Sequence, residues 1–289
     1  MKSPGAIAAS ASTALSATAA NAACLSNGEI SKLWRAEVVS TLPWAKSASQ
    51  IGIIHGQECS GHYVTAPGIG RRAYLKPLKL LEDHAQRAVP AREKIASDLA
   101  YDLGLPVPPA VLVPSPGSLP AGAVVSLVLY PFQWAWEQVR WLTPDDSVTA
   151  AAMNKVLAES AAAMLVFDTW VGQTDHDDHP HNIVWGYDTG DPTVSQIVYL
   201  DFARALGCEN TWAGGAWTDL VEAPFPRKLR SLATNEAIEQ AIDRVLQLSA
   251  DSIRGVVHRI PNDYLDINQK CIIAEALLGR RDALKSTLL

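Results

Sequence analysis

The stretch Phe167–Arg204, FDTWVGQTDHDDHPHNIVWGYDTGDPTVSQIVYLDFAR, decides how the whole chain is read. Its polar centre, Asp175 to Asn182, gathers three Asp and three of the chain's seven His. Two runs rich in Ile, Val, Trp, Tyr and Phe, Asn182–Tyr187 and Ile197–Phe202, lie on either side of a polar turn from Asp188 to Asp191. Their composition is that of half-buried strands. Paired as an antiparallel hairpin, the first strand begins where the second ends. Asn182 and Asp201 then become neighbours in space across nineteen positions of sequence, with Asp177 one short loop upstream.

An Asp on a loop, an Asn five residues later and a second Asp ending a hairpin form the layout of a phosphoryl-transfer site. In such a site the first Asp orients and deprotonates the attacking hydroxyl, while the Asn and the second Asp hold magnesium against the phosphates. Oxygen ligands suit this hard cation. The expectation is Asp177 as base, with Asn182 and Asp201 as ligands of Mg2+. Two other readings stand beside it. A His/Asp-rich loop is often only a solvated turn. Imidazole and carboxylate together also suit zinc, iron or manganese, and a metal-dependent hydrolase would be built on His176, Asp177, His179, His181 and Asp201. The His spacings match no familiar hydrolase pattern, and no Cys lies near in sequence.

Composition bounds these readings. The 289 residues suffice for one large or two modest domains with proper cores. With 48% hydrophobic and 19% charged residues, the chain reads as soluble and globular. A net charge of −6 argues against a general nucleic-acid or anionic-membrane binder. Cys24, Cys59, Cys208 and Cys271 are scattered without a C-x-x-C pair, so reduced thiols in a cytoplasmic protein are the simpler expectation. Residues 1–28 are rich in Ala, Ser and Thr and read as a disordered tail or short helix; their interrupted apolar core makes a poor secretory signal. No stretch has the apolar length to span a bilayer.

From about Glu29 the chain reads as folded. The run 34–39 leads to Gly52–Gly56, Gly61–Val64 and Ala73–Pro77, short segments with Gly-bearing turns that predict a small antiparallel sheet. The glycines form no G-x-G-x-x-G fingerprint and read as hairpin turns. Lys76 ends one apolar strand, from which an ammonium can reach phosphate oxygens. In a kinase such a Lys is held by a carboxylate on a helix. The next periodic segment, Val89–Tyr101, has Ile95, Leu99 and Leu103 at helical spacing, Gly104 at its end and Glu93 near its start.

The residues Asp177-Asp178-His179-Pro180-His181-Asn182 followed by Asp201-Phe202-Ala203 resemble the D-x-H-x-x-N and D-F-G pair of HipA-like and phosphatidylinositol-type kinases. The string Glu93–Val113 is similar to the helix and following strand of the HipA-like kinase family, and Val124–Phe132 to its strand into the hinge. The resemblance covers about residues 30–289. It implies an α+β, two-lobed protein-kinase-like fold: a 29–132 N-lobe with a small antiparallel sheet and one helix, and a larger, mainly helical 133–289 C-lobe. It implies ATP and Mg2+ as cofactors. Lys76 and Glu93 would serve the phosphates, Leu129 and Tyr130 the adenine, Asp177 the proton transfer, and His179 the bracing of the catalytic loop. The acceptor would be a hydroxyl of a protein (Ser/Thr) or a small molecule, and there is room for an antitoxin-like or regulatory protein partner.

After Phe132 the texture reads as helical, with Trp134, Trp136 and Trp141 as packing residues. A long helix over Ala150–Trp170, capped by Ser147 or Thr149, delivers the chain into the Asp177 loop. A Gly/Trp loop (207–225) and further helices, Glu236–Leu248 among them, follow. Two departures from the family pattern stand out. Asp178 replaces a customary Arg, and with Asp175 close by a register using Asp175 as base stays open. The second motif reads Asp-Phe-Ala, without Gly. These changes motivate an alternative in which the chain is a catalytically silent kinase-like module that binds nucleotide or a partner.

Overall fold

Short apolar runs pair into an antiparallel sheet that carries Lys76 on one face. The computed structural model describes residues 26–46, 54–55, 60–66, 69–76, 88–114, 122–130, 132–136, 147–187, 195–207, 212 and 216–289. Its first sheet contains β1 (Ala45–Lys46), β2 (Ile54–His55), β3 (Ser60–Thr65), β4 (Ala73–Lys76), β5 (Ala110–Val113) and β6 (Ala123–Leu127). The order is β1-β3-β4-β6-β5, with β2 also on β3. Side chains alternate across a strand, and the register sorts them into two sets. Ala73 lies opposite Leu127 and Leu75 opposite Val125, whereas Tyr74 lies opposite Ser126 and Lys76 opposite Val124.

Each set has its own cover. Val64, Ala73, Val111, Val125 and Leu127 pack with Ile30 and Trp34 of helix α1 (Asn27–Ala36). Ala110, Leu112 and Val124 join the larger core with Ile95, Ala96 and Leu99 of helix α2 (Val89–Asp102). The sequence reading did not single out α1. Its start carries a capping box, Ser26 and Glu29 satisfying each other's backbone N–H groups, and the helix takes in Trp34 to Ala36, where the sequence alone suggests a lead into the sheet. Beyond α1 the chain runs parallel to β5 through a bridge from Val39 to Leu112 and closes that edge. Helix α2 ends as expected, with Gly104 at φ 67°.

A buried ionic cluster ties α1 and α2 to the C-terminal helices. The Lys94 ammonium donates to the Trp34 carbonyl (2.6 Å) and to Asp98 (2.9 Å). Arg259 pairs with the other oxygen of Asp98 and donates to the Arg35 carbonyl (2.5 Å). Arg35 in turn makes a bidentate pair with Asp102. Every charge here has a partner, as burial demands. Burial pulls Lys94 down to about 8 even with Asp98 beside it.

A second sheet, β7-β8-β9, joins β7 (Phe132–Ala135), β8 (Ile183–Tyr187) and β9 (Ser195–Tyr199). The expected hairpin forms as β8–β9, with Ile183 opposite Tyr199. Its second strand ends at Tyr199, so Leu200 to Phe202 continue beyond it, and the turn 188–191 lies outside the described residues. Strand β7 corrects the helical reading after Phe132: alternating aromatic residues there pair with β8. Helix α3 (Ser147–Val171) begins three residues earlier than expected, so both candidate caps, Ser147 and Thr149, lie inside it. Its buried last turns, from Ala161, form the centre of the larger core. Around it pack α4 (Arg227–Arg230), α5 (Asn235–Leu246) and α7 (Ile267–Leu288), while α6 (Ala250–His258) packs on α7 and α2. This is the kinase-like α+β class expected from the sequence. Among the described residues no helix is long and apolar enough to cross a membrane. Cys271 is exposed; the other three Cys, and the expected turns at Gly52, Gly56 and Gly68, lie outside the described residues.

If α1 is an integral part of this sheet, Trp34→Ala should destabilise the protein by about 3–5 kcal/mol, as large-to-small changes in a core do. Urea melts would show it. A loss under about 1 kcal/mol would mean that α1 is a dispensable cover.

Candidate functional site

The site forms where β4, α2 and the end of the hairpin converge. Lys76 closes β4 and is buried. Its ammonium contacts the carboxylate of Glu93, in the first turns of α2, and lies 2.7 Å from Oδ1 of Asp201. Three positions spread over 126 residues of sequence thus meet at one nitrogen. Burial disfavours the charge on Lys76, but the two carboxylates hold its pKa above the usual value. Burial likewise pushes the Glu93 carboxyl up despite the adjacent ammonium. For Asp201 burial pulls upward too, yet Lys76 overrides it and the carboxyl falls to about 2. The more exposed carboxylate keeps its charge, and the buried one holds its proton more readily.

Asn182 stands at the end of a single 3₁₀ turn, Pro180–Asn182, directly before β8. Its carbonyl accepts from the Leu200 N–H (2.7 Å), which sets it beside the segment that carries Asp201. An amide and a carboxylate on adjoining segments are the kind of oxygen donors that a divalent cation takes, and an ammonium beside the carboxylate is the kind of charge that pairs with phosphate oxygens. Asp201 itself has φ 63°, a left-handed conformation uncommon outside glycine.

The catalytic-loop candidates separate sharply. Asp175 is buried, and its carboxylate lies 2.5 Å from His179 Nδ1 and 3.7 Å from Arg204 Nε. Asp177 is exposed, and no described residue pairs with its carboxylate. His179 therefore leans on Asp175, and its ring also meets that of the exposed His181. His176 is fully buried. Its Nδ1 lies 2.6 Å from Asp168 Oδ2 and its Nε2 3.0 Å from the Leu200 carbonyl. Burial works against charge on this ring and likewise raises the Asp168 carboxyl, while Asp168 raises the pKa of the ring, so the two share a proton at Nδ1; the Leu200 carbonyl takes a proton from Nε2. With both nitrogens engaged, His176 is closed to metal. Among the described residues no three His, Cys, Asp or Glu converge on a cation site, and of the five residues of the hydrolase reading His176 is turned to Asp168 and Leu200.

The hinge candidates are adjacent but differently committed. The Leu129 carbonyl accepts from Asn27 Nδ2 (2.8 Å) and Arg71 Nη1 (3.3 Å), so it is turned toward α1. Tyr130 donates its hydroxyl to Gln196 (3.1 Å) and lays its ring over Gly186, where any Cβ would stand 2.3 Å from it. Sequence reasoning passed over Asp168, Gln173, Arg204, Asn27 and Arg71. Nothing in their local spacing marks them, because each acts on a partner fixed only by the fold.

A family model described as HipA-like kinase matches residues 82–285, which include Glu93, the catalytic-loop candidates and Asp201 but not Lys76. Among solved structures, the chain is similar to the Helicobacter pylori proinflammatory kinase CtkA, with a TM-score of 0.57 and 15% identity over 86% of this chain and 95% of that one. A slighter likeness, TM-score 0.38 and 12% identity over 85% of this chain and 99% of that one, is to WaaP in complex with acyl carrier protein. No curated protein matches the chain.

A depressed carboxyl gives stability that is complete above its ordinary value and is lost as pH falls through its folded value. For Asp201 that window runs from 3.8 down to about 2. The stability advantage of wild type over Asp201→Asn, followed by denaturant melts against pH, should hold steady above the window and shrink within it. An advantage unchanged at the bottom of the window would contradict the Lys76–Asp201 contact.

Proposed function

The chain belongs to the HipA-like kinase family, and from that premise we propose that it transfers the γ-phosphoryl of Mg-ATP to a hydroxyl of a protein Ser/Thr or of a small molecule. The observation that carries this reading is the buried ammonium of Lys76, in contact with both Glu93 and Asp201. A Lys held by a helix carboxylate next to a metal-binding Asp is what phosphoryl transfer asks of its ATP site.

In this reading Glu93 keeps Lys76 aimed at the phosphates. Asn182 and Asp201 hold Mg2+, which when bound neutralises charge on the phosphate oxygens. Asp177 accepts the proton of the attacking hydroxyl; its exposed carboxylate is open to an acceptor, whereas that of Asp175 is committed to His179 and Arg204. His179, resting on Asp175, braces the loop. Adenine lies beside Leu129 and Tyr130, with the Leu129 carbonyl held by Asn27 and Arg71 and so not among its contacts. Residues 29–132 act as the N-lobe and 133–289 as the C-lobe, and the activity is placed in the cytoplasm, where ATP is at hand.

Incubation with Mg2+ and ATP labelled at the γ-phosphate tests the reading. Wild type is expected to label itself or an added acceptor. Asp177→Asn should lower turnover by about a hundredfold or more, the usual worth of a positioned base, while still binding nucleotide. Asp175→Asn should lower the melting temperature and spare more of the transfer. Full transfer by Asp177→Asn would remove that residue from its role. Nucleotide binding by wild type without labelling of any acceptor would point to the silent module instead.

A further inference from the structure

Asp201 meets Lys76 with its backbone at φ 63°, a conformation that costs a non-glycine residue about 1 kcal/mol or more. Strand pairing does not impose it, because β9 ends at Tyr199. The next residue, Leu200, is fixed through its N–H to Asn182 and through its carbonyl to His176 Nε2. The Asp201 carbonyl itself accepts from Gln173 Nε2 at 2.6 Å.

Gln173 is built to hold that bond. It is fully buried, one residue beyond Gly172, whose φ of 67° turns the chain out of α3. Its backbone N–H donates to the Asp168 carbonyl (2.9 Å), and its Oε1 accepts from the Thr174 N–H (3.1 Å). The second contact settles which end of the amide faces Asp201: the oxygen is taken by a donor, so the NH2 meets the carbonyl. Gly172 has no freedom to change, since a Cβ there would stand 2.8 Å from Trp217 Nε1 and 3.2 Å from Arg280 Nη2. Arg280 donates to the carbonyls of Thr169 and Trp170 at the end of α3. The helix end, the glycine turn and the glutamine therefore form one rigid support under Asp201.

We propose that Gln173 is a positioning residue for the metal-binding Asp201: its side-chain amide fixes the Asp201 carbonyl and so the backbone conformation that presents the carboxylate to a divalent cation. The inference rests on the phosphotransferase reading above and adds to it a residue outside both sequence motifs. A purely structural glutamine would affect folding stability alone. A positioning one affects how well the folded protein holds the cation.

The test uses the full-length chain and Mn2+ with a non-hydrolysable ATP analogue, free Mn2+ being read by electron paramagnetic resonance. Gln173→Met keeps the length of the side chain and removes the donor. It is expected to melt cooperatively, to bind the analogue without metal as wild type does, and to bind Mn2+ about tenfold more weakly, the scale on which losing a partner that orients a metal ligand weakens a site. Wild-type Mn2+ affinity in folded Gln173→Met would overturn the proposal. If wild type itself binds no Mn2+, the phosphotransferase reading fails and this inference with it. Should Gln173→Met not fold, nuclear magnetic resonance of wild type decides. The Gln173 side-chain amide protons should exchange slowly and shift when Mg2+ and the analogue are added; exchange at the solvent rate, or no shift, would overturn the proposal.

Discussion

The site depends on one cation shared by two carboxylates. The Lys76 ammonium meets Glu93 from α2 and Asp201 from beyond the hairpin in a buried setting. There an unpaired charge would cost several kcal/mol and a paired one is tolerated only when its partners are fixed in place. The requirement reaches outward. β4 must end at Lys76, α2 must approach the sheet with its first turns, and the chain must leave β9 so that Asp201 turns back toward both.

The rest of the chain meets those demands by fixing ends of elements. Helix α2 is held along its length: Arg92 donates to the Gly207 carbonyl, Ser97 to that of Pro108, and Asp98 pairs with Lys94 and Arg259. The C-terminal end of α3 is held by Arg280, whose guanidinium donates to the carbonyls of Thr169, Trp170, Trp217 and Asp219 and lies over the Trp217 ring. A cation is well placed at the negative end of a helix. Burial nevertheless pulls Arg280 down to about 10, even with the charge of Asp219 opposing it. From that fixed helix end the loop with His176, Asp177 and Asn182 departs.

Much of this was legible in the sequence, for physical reasons. The β8–β9 hairpin showed itself through two runs of strand-forming residues about a polar turn, and α2 through apolar spacing closed by Gly104. The motif residues Lys76, Glu93, Asn182 and Asp201 could be picked out by type and position; the fold brings the first two and Asp201 into contact and joins the Asn182 backbone to the neighbouring Leu200. Two elements were misjudged. The start of α1 follows a stretch of Ala, Ser and Thr, and its burial rests on two residues, Ile30 and Trp34, too few to give a clear period. The aromatic residues of β7 carry no helical signal of their own, and their pairing with β8 is a long-range fact. The supporting residues stayed hidden for the same reason. Arg259 and Asp98 are 161 positions apart, and Arg280 and Thr169 are 111 apart. Such partners are chosen by topology, and local pattern does not reveal them.

Whether Asp201, beside Lys76, belongs to a metal-nucleotide site is open to direct measurement. Thermal melts of wild type and Asp201→Ala, each with and without Mg-ATP, test it most directly. A ligand present at about a hundredfold its Kd adds about 2.7 kcal/mol to stability, or several degrees for a chain of this size. That rise is expected in wild type, and its loss in Asp201→Ala. Equal shifts in the two proteins, or no shift in wild type at millimolar Mg-ATP, would contradict it.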